Sequence, residues 1–189
     1  MGVGLFGGAF DPPHVGHVEL ARAAKEHFAI PQLVVLVAAA PGHKDVRLPA
    51  ETRLELARAA FPDEDVRLDP YPRTIDLLRS ERFDHPLFVI GADEFCDFPT
   101  WKEPDAVLEL TRLAVGTRPG FPTEKIDAAL DQVSHLDRVV FFELEPNPAA
   151  SRDIRAVAEA GESLDGLVPP AVAAIIADQK LYVRSSGLH

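Results

Sequence analysis

Short apolar runs alternate along the chain with segments whose apolar residues recur at helical spacing. The predicted strands cover residues 3–6, 33–39, 66–68, 87–90, 113–115 and 139–142, and predicted helices lie between them at 18–28, 51–61, 74–82, 104–110 and 123–133. Several of these runs are apolar throughout, which is typical of strands buried on both faces of a parallel sheet. The alternation therefore predicts an α/β fold with a doubly wound, Rossmann-like parallel sheet.

The sequence changes character after residue 150. Residues 151–183 contain no strand-like run, and two helices are predicted there, the second beginning at Pro169-Pro170, because proline is tolerated in the first helical turn. A length of 189 residues with 47% hydrophobic residues fits one domain with its own core. We expect a single domain over residues 1–189, with an α/β core at 1–150 and a C-terminal helical part at 151–183.

The net charge of the chain and the length of its apolar runs restrict the kinds of partner that it can bind. The net charge of −11 argues against general affinity for nucleic acid. The longest apolar run, residues 33–40, is too short to span a membrane, and no signal peptide is visible. Cys96 is the only cysteine, which excludes an internal disulfide and favours a small buried side chain. We therefore predict a cytoplasmic protein without membrane or nucleic-acid partners, and leave its state, monomer or homo-oligomer, open.

Two glycine signatures overlap near the N-terminus and indicate different chemistries. Gly2, Gly4 and Gly7 match the spacing of a dinucleotide-binding fingerprint, which requires a strand before its first glycine. Only Met1 precedes Gly2, and the apolar run 3–6 is itself the first predicted strand, so Gly2 would lie at its start and Gly4 within it. We therefore interpret this match as coincidental.

The second signature fits its context. Gly7 and Gly8 follow the first strand, and His14, Gly16 and His17 stand at the entrance to the next helix. Ligands of open α/β sheets bind beyond the carboxyl ends of the strands, where a helix N-terminus offers amide groups to an anion. This segment therefore predicts a site for a polyphosphate. A Walker-type site is disfavoured, because the chain contains no Gly-x-x-x-x-Gly-Lys-[Ser/Thr] element.

The motifs, taken in order, resemble one family of nucleotidyltransferases, those that carry a His-x-Gly-His element. They are Gly-Gly-Ala-Phe-Asp-Pro at 7–12, His-Val-Gly-His at 14–17, Pro-Gly-His-Lys at 41–44, Thr-Ile-Asp at 74–76, Ile-Gly-Ala-Asp at 90–93, Thr-Trp at 100–101, Ser-Arg-Asp-Ile-Arg at 151–155 and Gly-Leu-Val-Pro at 166–169. Within this superfamily the chain is most similar to the bacterial nicotinate mononucleotide adenylyltransferases. The resemblance extends over nearly the whole chain.

The resemblance implies a role for each matching residue. Catalytic contacts with the phosphates are implied for His14, His17, Lys44 and Arg155. ATP-binding positions are implied at Gly7, Gly8, Ala9, Phe10, Gly16, Gly91, Asp93, Ser151 and Ile154. The mononucleotide would be held by Thr74 and Trp101, with the indole stacked on the pyridine ring. No side chain of the protein is expected to bind a metal.

The resemblance also implies the reaction. AMP would pass from ATP to nicotinate mononucleotide, giving deamido-NAD and pyrophosphate, with Mg²⁺ carried by the ATP phosphates. A phosphate monoester has a second pKa of about 6, so the nucleophile is ionised and needs no general base. Two alternatives stay open: a relative that acts on nicotinamide mononucleotide or phosphopantetheine, and a nucleotide-binding sensor without turnover.

Three stretches depart from the family pattern, the last of them Ala150-Ser151-Arg152, where relatives usually have Ser-Ser-Thr. Many relatives have serine or threonine after the two glycines, where this chain has Ala9, so backbone amides must replace a hydroxyl contact. The segment before Thr74 reads Pro70-Tyr71-Pro72-Arg73 instead of the usual serine-containing loop. This second departure leaves open how a pyridine carboxylate is recognised, and Arg73 is not among the predicted site residues.

Overall fold

The protein is built around one six-stranded sheet, seen in a computed structural model that describes residues 2–42, 45–145 and 149–183. The strands are β1 (Gly4–Gly8), β2 (Leu33–Ala38), β3 (Asp65–Asp69), β4 (Leu87–Gly91), β5 (Arg112–Thr117) and β6 (Val139–Glu143). Their order is β3-β2-β1-β4-β5-β6, and every neighbouring pair is parallel. The predicted Rossmann-like parallel sheet is confirmed.

Helices cover both faces of this sheet. They are α1 (Val15–Phe28), α2 (Ala50–Ala60), α3 (Thr74–Ser80), α4 (Ala92–Asp97), α5 (Pro104–Leu110), α6 (Thr123–Leu130), α7 (Ser151–Glu159) and α8 (Pro170–Asp178). Short 3-10 turns occupy Phe98–Thr100 and Leu136–Arg138. The two C-terminal helices, α7 and α8, agree with the helices predicted for the tail.

Alternate residues of each central strand enter opposite layers of the core. In β2, Val35 and Val37 pack in the layer formed with α1, α2, α7 and α8, whereas Val34 and Leu36 pack in the layer formed with α3, α4, α5 and α6. A strand that is buried on both sides has no polar face. This burial explains why the strand signal in the sequence was a continuous apolar run.

Several predicted boundaries were wrong by a few residues. β1 extends to Gly8 instead of ending at residue 6, because Gly7 and Gly8 still pair with Leu36 and Val37 of β2. Helix α1 begins at Val15, before the predicted residue 18. Helix α4 was not predicted as an element, since its six residues are too few to display a period. Cys96, expected to be buried, is half-buried there.

The glycine match rejected above has a packing explanation. Gly4 lies inside β1 as predicted, whereas Gly2 precedes the strand. A Cβ atom at Gly2 would lie 2.0 Å from the carbonyl oxygen of His85, which no side chain could tolerate. Gly2 is therefore required by close packing against the chain before β4.

Within the described residues, no helix has both the length and the apolar character that a membrane span would need.

A buried arginine joins the first two strand ends to α2. Arg53 is 1% exposed, and its guanidinium donates to the carbonyl oxygens of Ala9 (2.7 Å), Ala38 (2.8 Å) and Leu48 (3.1 Å). Burial lowers the pKa of Arg53, and the nearby Asp11 carboxylate opposes this shift. The arginine satisfies carbonyl groups that would otherwise be buried without donors.

Replacing Arg53 with methionine should lower the free energy of unfolding by about 3 kcal/mol, because several buried carbonyl groups lose their donors. Arg58→Met is the matched control, since Arg58 is exposed on the same helix, and should change stability by no more than about 0.5 kcal/mol. Urea unfolding measures both. Equal losses for the two variants would contradict the structural role given to Arg53.

Candidate active site

Two adjoining cavities open at the carboxyl edge of the sheet, at the point between β1 and β4 where the strand order reverses. Cavity 1, of about 360 Å³, lies over the ends of β1, β4 and β5. Cavity 2, of about 460 Å³, lies over the ends of β2, β1 and β4. Both volumes are in the range of small-molecule sites. The cavities share the wall formed by Gly7, Gly8, Ala9 and Ile90, so ligands in them would meet at the glycine loop.

Two imidazoles in close contact line cavity 1 at the start of α1. The rings of His14 and His17 have centroids 3.7 Å apart. The backbone amide of His14 donates to Nδ1 of His17 (3.2 Å), so a neutral His17 carries its proton on Nε2. Gly16 lies directly beneath this pair, because a Cβ atom there would be 3.1 Å from the His14 ring. The His-x-Gly-His spacing therefore packs two imidazoles together at one helix end.

Burial keeps the first of these imidazoles neutral. His14 is 8% exposed, and its Nδ1 has no hydrogen-bond partner among the described residues. Burial lowers the pKa of His14 to about 4. At neutral pH the ring is uncharged and carries one N–H donor.

The loop before these histidines is held by a buried carboxylate. Asp11 is 2% exposed, and one of its oxygens accepts the hydroxyl of Tyr182 (2.7 Å) while the other accepts the backbone amide of Arg47. Burial and the hydrogen bond to Asp11 raise the pKa of Tyr182 above its usual range. Asp11 therefore organises the loop, although one of its partners is 171 residues away.

The C-terminal part braces the same loop at three further points. Ser151 Oγ donates to the carbonyl oxygen of Pro12 (2.9 Å), and the amide of Val15 donates to the carbonyl oxygen of Leu167 (3.1 Å). Arg155 Nη1 donates to the carbonyl oxygen of Asp11 (2.9 Å). The start of α7 thus forms part of the wall of cavity 1, and α7 together with the connection before α8 fixes its loop.

Arg155 is a buried cation with an exchangeable partner. It is 5% exposed, and its Nε has no hydrogen-bond partner among the described residues. Its Nη2 lies 3.4 Å from Asp45, whose side chain is 83% exposed. An ion pair with an exposed carboxylate contributes little free energy. A phosphate in cavity 1 can therefore take the place of Asp45 at Arg155.

Cavity 2 has an aromatic surface. Trp101 lines it and is held edge-on against Phe98 and Phe88, with ring centroids at 5.2 and 6.2 Å. Thr74, the first residue of α3, lines the same cavity. An indole fixed by other rings is a rigid surface on which a planar ligand can stack.

The structure brings most of the predicted site residues to these cavities. Cavity 1 is lined by His14, Gly16, His17, Gly91, Asp93, Ser151 and Arg155, and by Phe10, whose ring is buried; Gly7, Gly8 and Ala9 border both cavities; Thr74 and Trp101 line cavity 2. Lys44 lies outside the described residues, as does His43. The functional roles given to all these residues stay predictions.

Packing determines the positions of two side chains at the start of α7, and the ATP-binding role of Ile154 stays a prediction. Ile154 borders neither cavity: it is 2% exposed in the core, and its amide donates to Ala150 within the helix. Ala150 occupies the N-cap position of α7, and the Ser151 hydroxyl bonds to the loop. In both cases the motif matched, and packing decided where the side chain points.

Comparison with known proteins agrees with this geometry. The profile of the cytidylyltransferase-like family matches residues 5–157. The chain belongs to the cytidylyltransferase-like family. Its relatives include a probable nicotinate-nucleotide adenylyltransferase of Thermus thermophilus, 36% identical over the full length of both chains. Another is the probable nicotinate-nucleotide adenylyltransferase of Rubrobacter xylanophilus, 32% identical over 96% of this chain and 92% of the relative. The resemblance read from the motifs is confirmed.

A solved structure shares the fold of this cytidylyltransferase-like chain. It is the Plasmodium falciparum nicotinic acid mononucleotide adenylyltransferase complexed with NaAD, which superimposes with a TM-score of 0.75. The match covers 95% of this chain and 96% of that chain at 15% sequence identity. At this identity the similarity concerns the fold.

Sequence reasoning missed three polar residues of this family member's site region. Arg118 lines cavity 1 and lies 3.3 Å from Asp93; it directly follows β5, so the rule that sites form at strand ends could have found it. Asp45 stands next to a predicted site residue in the chain, Lys44, but its contact with Arg155 spans 110 residues. Arg53 carried no usable signal, because an arginine within a helix is ordinarily exposed.

The buried imidazole of His14 should make stability depend on pH. Its folded-state pKa of about 4 lies below the unfolded-state value of 6.5, so the unfolded chain binds the proton more readily, and stability present above pH 6.5 is lost as pH falls toward 4. Between pH 7.5 and 4.5, the free energy of unfolding should fall by about 2.5 kcal/mol more in wild type than in His14→Asn.

Urea unfolding at the two pH values tests this prediction. His27→Asn, at an exposed position of the same helix, is the control and should follow wild type. Parallel pH curves for wild type and His14→Asn would show that the His14 imidazole is not desolvated.

Proposed function

We propose that the protein transfers the adenylyl group of ATP to nicotinate mononucleotide, giving deamido-NAD and pyrophosphate. One observation carries the proposal: two cavities meet at the glycine loop, one lined by two imidazoles and Arg155, the other by Trp101. A triphosphate in cavity 1 and a mononucleotide in cavity 2 would bring two phosphates together at that loop. The names of the bacterial relatives support the same substrates.

The reaction needs positioning more than proton transfer. An oxygen of the 5′-phosphate attacks the α-phosphorus of ATP, a new phosphorus–oxygen bond forms, and the bond from the α-phosphorus to the bridging oxygen breaks. Pyrophosphate leaves with the bonding electrons. Since the attacking phosphate is already ionised at neutral pH, the protein must hold the two phosphates in line and stabilise the charge on the leaving group.

Cavity 1 supplies donors for that charge. His17 would donate from Nε2, because its Nδ1 is already occupied by the amide of His14. Arg155 would exchange Asp45 for a phosphate oxygen and thereby place a buried cation on the triphosphate. Donors that are fixed before the substrate arrives lose little free energy through reorganisation.

A metal ion is expected to bind together with the nucleotide. Across the described ranges, no group of three His, Cys, Asp or Glu side chains is placed to hold a metal ion. We propose that Mg²⁺ arrives on the ATP phosphates, as nucleotide-bound magnesium usually does. When bound there, the cation would neutralise charge on the triphosphate, and the role of His17 and Arg155 is to orient the phosphates.

The predicted cytoplasmic location suits substrates that are small phosphorylated metabolites. It stays a prediction, as does the absence of nucleic-acid partners, and the oligomeric state stays open.

A pyrophosphate-release assay with ATP, Mg²⁺ and a panel of acceptors tests the proposal. Release should depend on nicotinate mononucleotide, with the dinucleotide product detected by chromatography in equal amount. Release with phosphopantetheine and not with a pyridine mononucleotide would assign a different acceptor. No release with any acceptor would favour a nucleotide-binding sensor.

Substitutions in the two cavities should affect different kinetic constants. In the His17→Asn variant, the asparagine can still accept a hydrogen bond from the His14 amide but lacks the Nε2 donor. The kcat should therefore fall about 100-fold, the cost of losing one charge-stabilising donor.

Trp101→Ala removes a stacking surface and should raise KM for the mononucleotide about tenfold, with a smaller effect on KM for ATP. Initial rates with each substrate varied in turn provide both constants. An effect of Trp101→Ala on ATP alone would contradict the division between the cavities.

A further inference from the structure

We propose that Arg73 selects the carboxylate-bearing pyridine mononucleotide over its carboxamide counterpart. The inference rests on the proposed function and adds a specificity-determining residue to it. Arg73 lines cavity 2 and directly precedes Thr74.

The charges around cavity 2 leave Arg73 available to an anion. Lys102 also lines this cavity, but its Nζ pairs with Asp76 at 3.0 Å. The guanidinium of Arg73 is exposed, its Nη1 donates to the carbonyl oxygen of Pro72 (2.9 Å), and it forms no ion pair with any carboxylate in the described part of the chain. Among the described lining residues, a ligand carboxylate can therefore pair with Arg73 without breaking an existing ion pair.

The other charged residues of the cavity make such a cation necessary. Asp69, Glu94 and Asp97 line the same walls. Carboxylates on the wall repel an anionic ring substituent and tolerate a neutral amide. Without a facing cation, cavity 2 would therefore favour the carboxamide.

The sheet places Arg73 where a pyridine ring substituent would lie. Arg73 lies in the connection that leaves β3, and β3 is separated from β1 by β2, a displacement of about 10 Å across the sheet. Its Nη1 lies 3.6 Å from the Cβ position of Gly42, in the connection that leaves β2. A mononucleotide whose phosphate meets the glycine loop above β1 would extend its base toward this edge of the cavity.

The chemistry of the guanidinium supplies the discrimination. It offers donors only, in a planar fork that matches the two oxygens of a carboxylate. A carboxamide presents one acceptor and one NH₂ donor, so it loses the charge and one of the two hydrogen bonds. Charge-assisted pairs of this type change affinity by about 10- to 100-fold.

The test compares kcat/KM for nicotinate mononucleotide with kcat/KM for nicotinamide mononucleotide, at saturating ATP, in wild type and Arg73→Met. The two acceptors share ribose and phosphate and differ in the ring substituent, so their ratio isolates that contact. The ratio should fall about 10- to 100-fold in Arg73→Met, through loss of activity with the acid, and Arg73→Lys should recover part of it.

Arg82→Met is the matched control, because Arg82 is exposed and lines neither cavity; its ratio should equal that of wild type. Equal losses with both acceptors would mean that Arg73 serves the shared phosphate, and an unchanged ratio would mean that it contacts neither; either result overturns the assignment while the proposed function stands. A wild type that is inactive with both acceptors would overturn the proposed function itself.

Discussion

The site depends on the hydrogen bonds that the buried carboxylate of Asp11 accepts. A carboxylate removed from water is costly unless hydrogen bonds replace its hydration. Here the donors come from Tyr182 and from the backbone of Arg47, while Arg155 holds the carbonyl group of the same residue. The loop can adopt its conformation only when these distant parts of the chain are in place together, so the loop geometry is a tertiary property.

The buried guanidinium of Arg53 also determines which way the loop faces. It binds the carbonyl oxygen of Ala9. In a planar trans peptide the N–H group points opposite to the preceding carbonyl, so the amide of Phe10 is directed away from the guanidinium of Arg53. Because a carbonyl group at the end of β1 is turned toward Arg53, the N–H group of the same peptide is directed the other way. Backbone N–H donors of this kind are what a polyphosphate requires.

The sequence predicted those features that depend on local pattern. Strands buried on both faces are continuous apolar runs, and the spacing of His14 and His17 placed them at a helix start. The features that the sequence did not reveal depend on contacts between distant residues. Ile154 lies within a motif, yet packing turns it into the core; Arg53 occupies an ordinary helical position, yet it is the most buried arginine among the described residues. No short-range pattern distinguishes these residues from their exposed counterparts.

The contact between Tyr182 and Asp11 has a consequence for synthesis of the protein. On the ribosome the first strand and its loop emerge early, but the phenol that completes the carboxylate's hydrogen bonds emerges some 170 residues later. The nascent chain can pair its first strands before Tyr182 is available to the loop. The loop geometry that the proposed phosphate site requires is therefore completed only after Tyr182 has been synthesised.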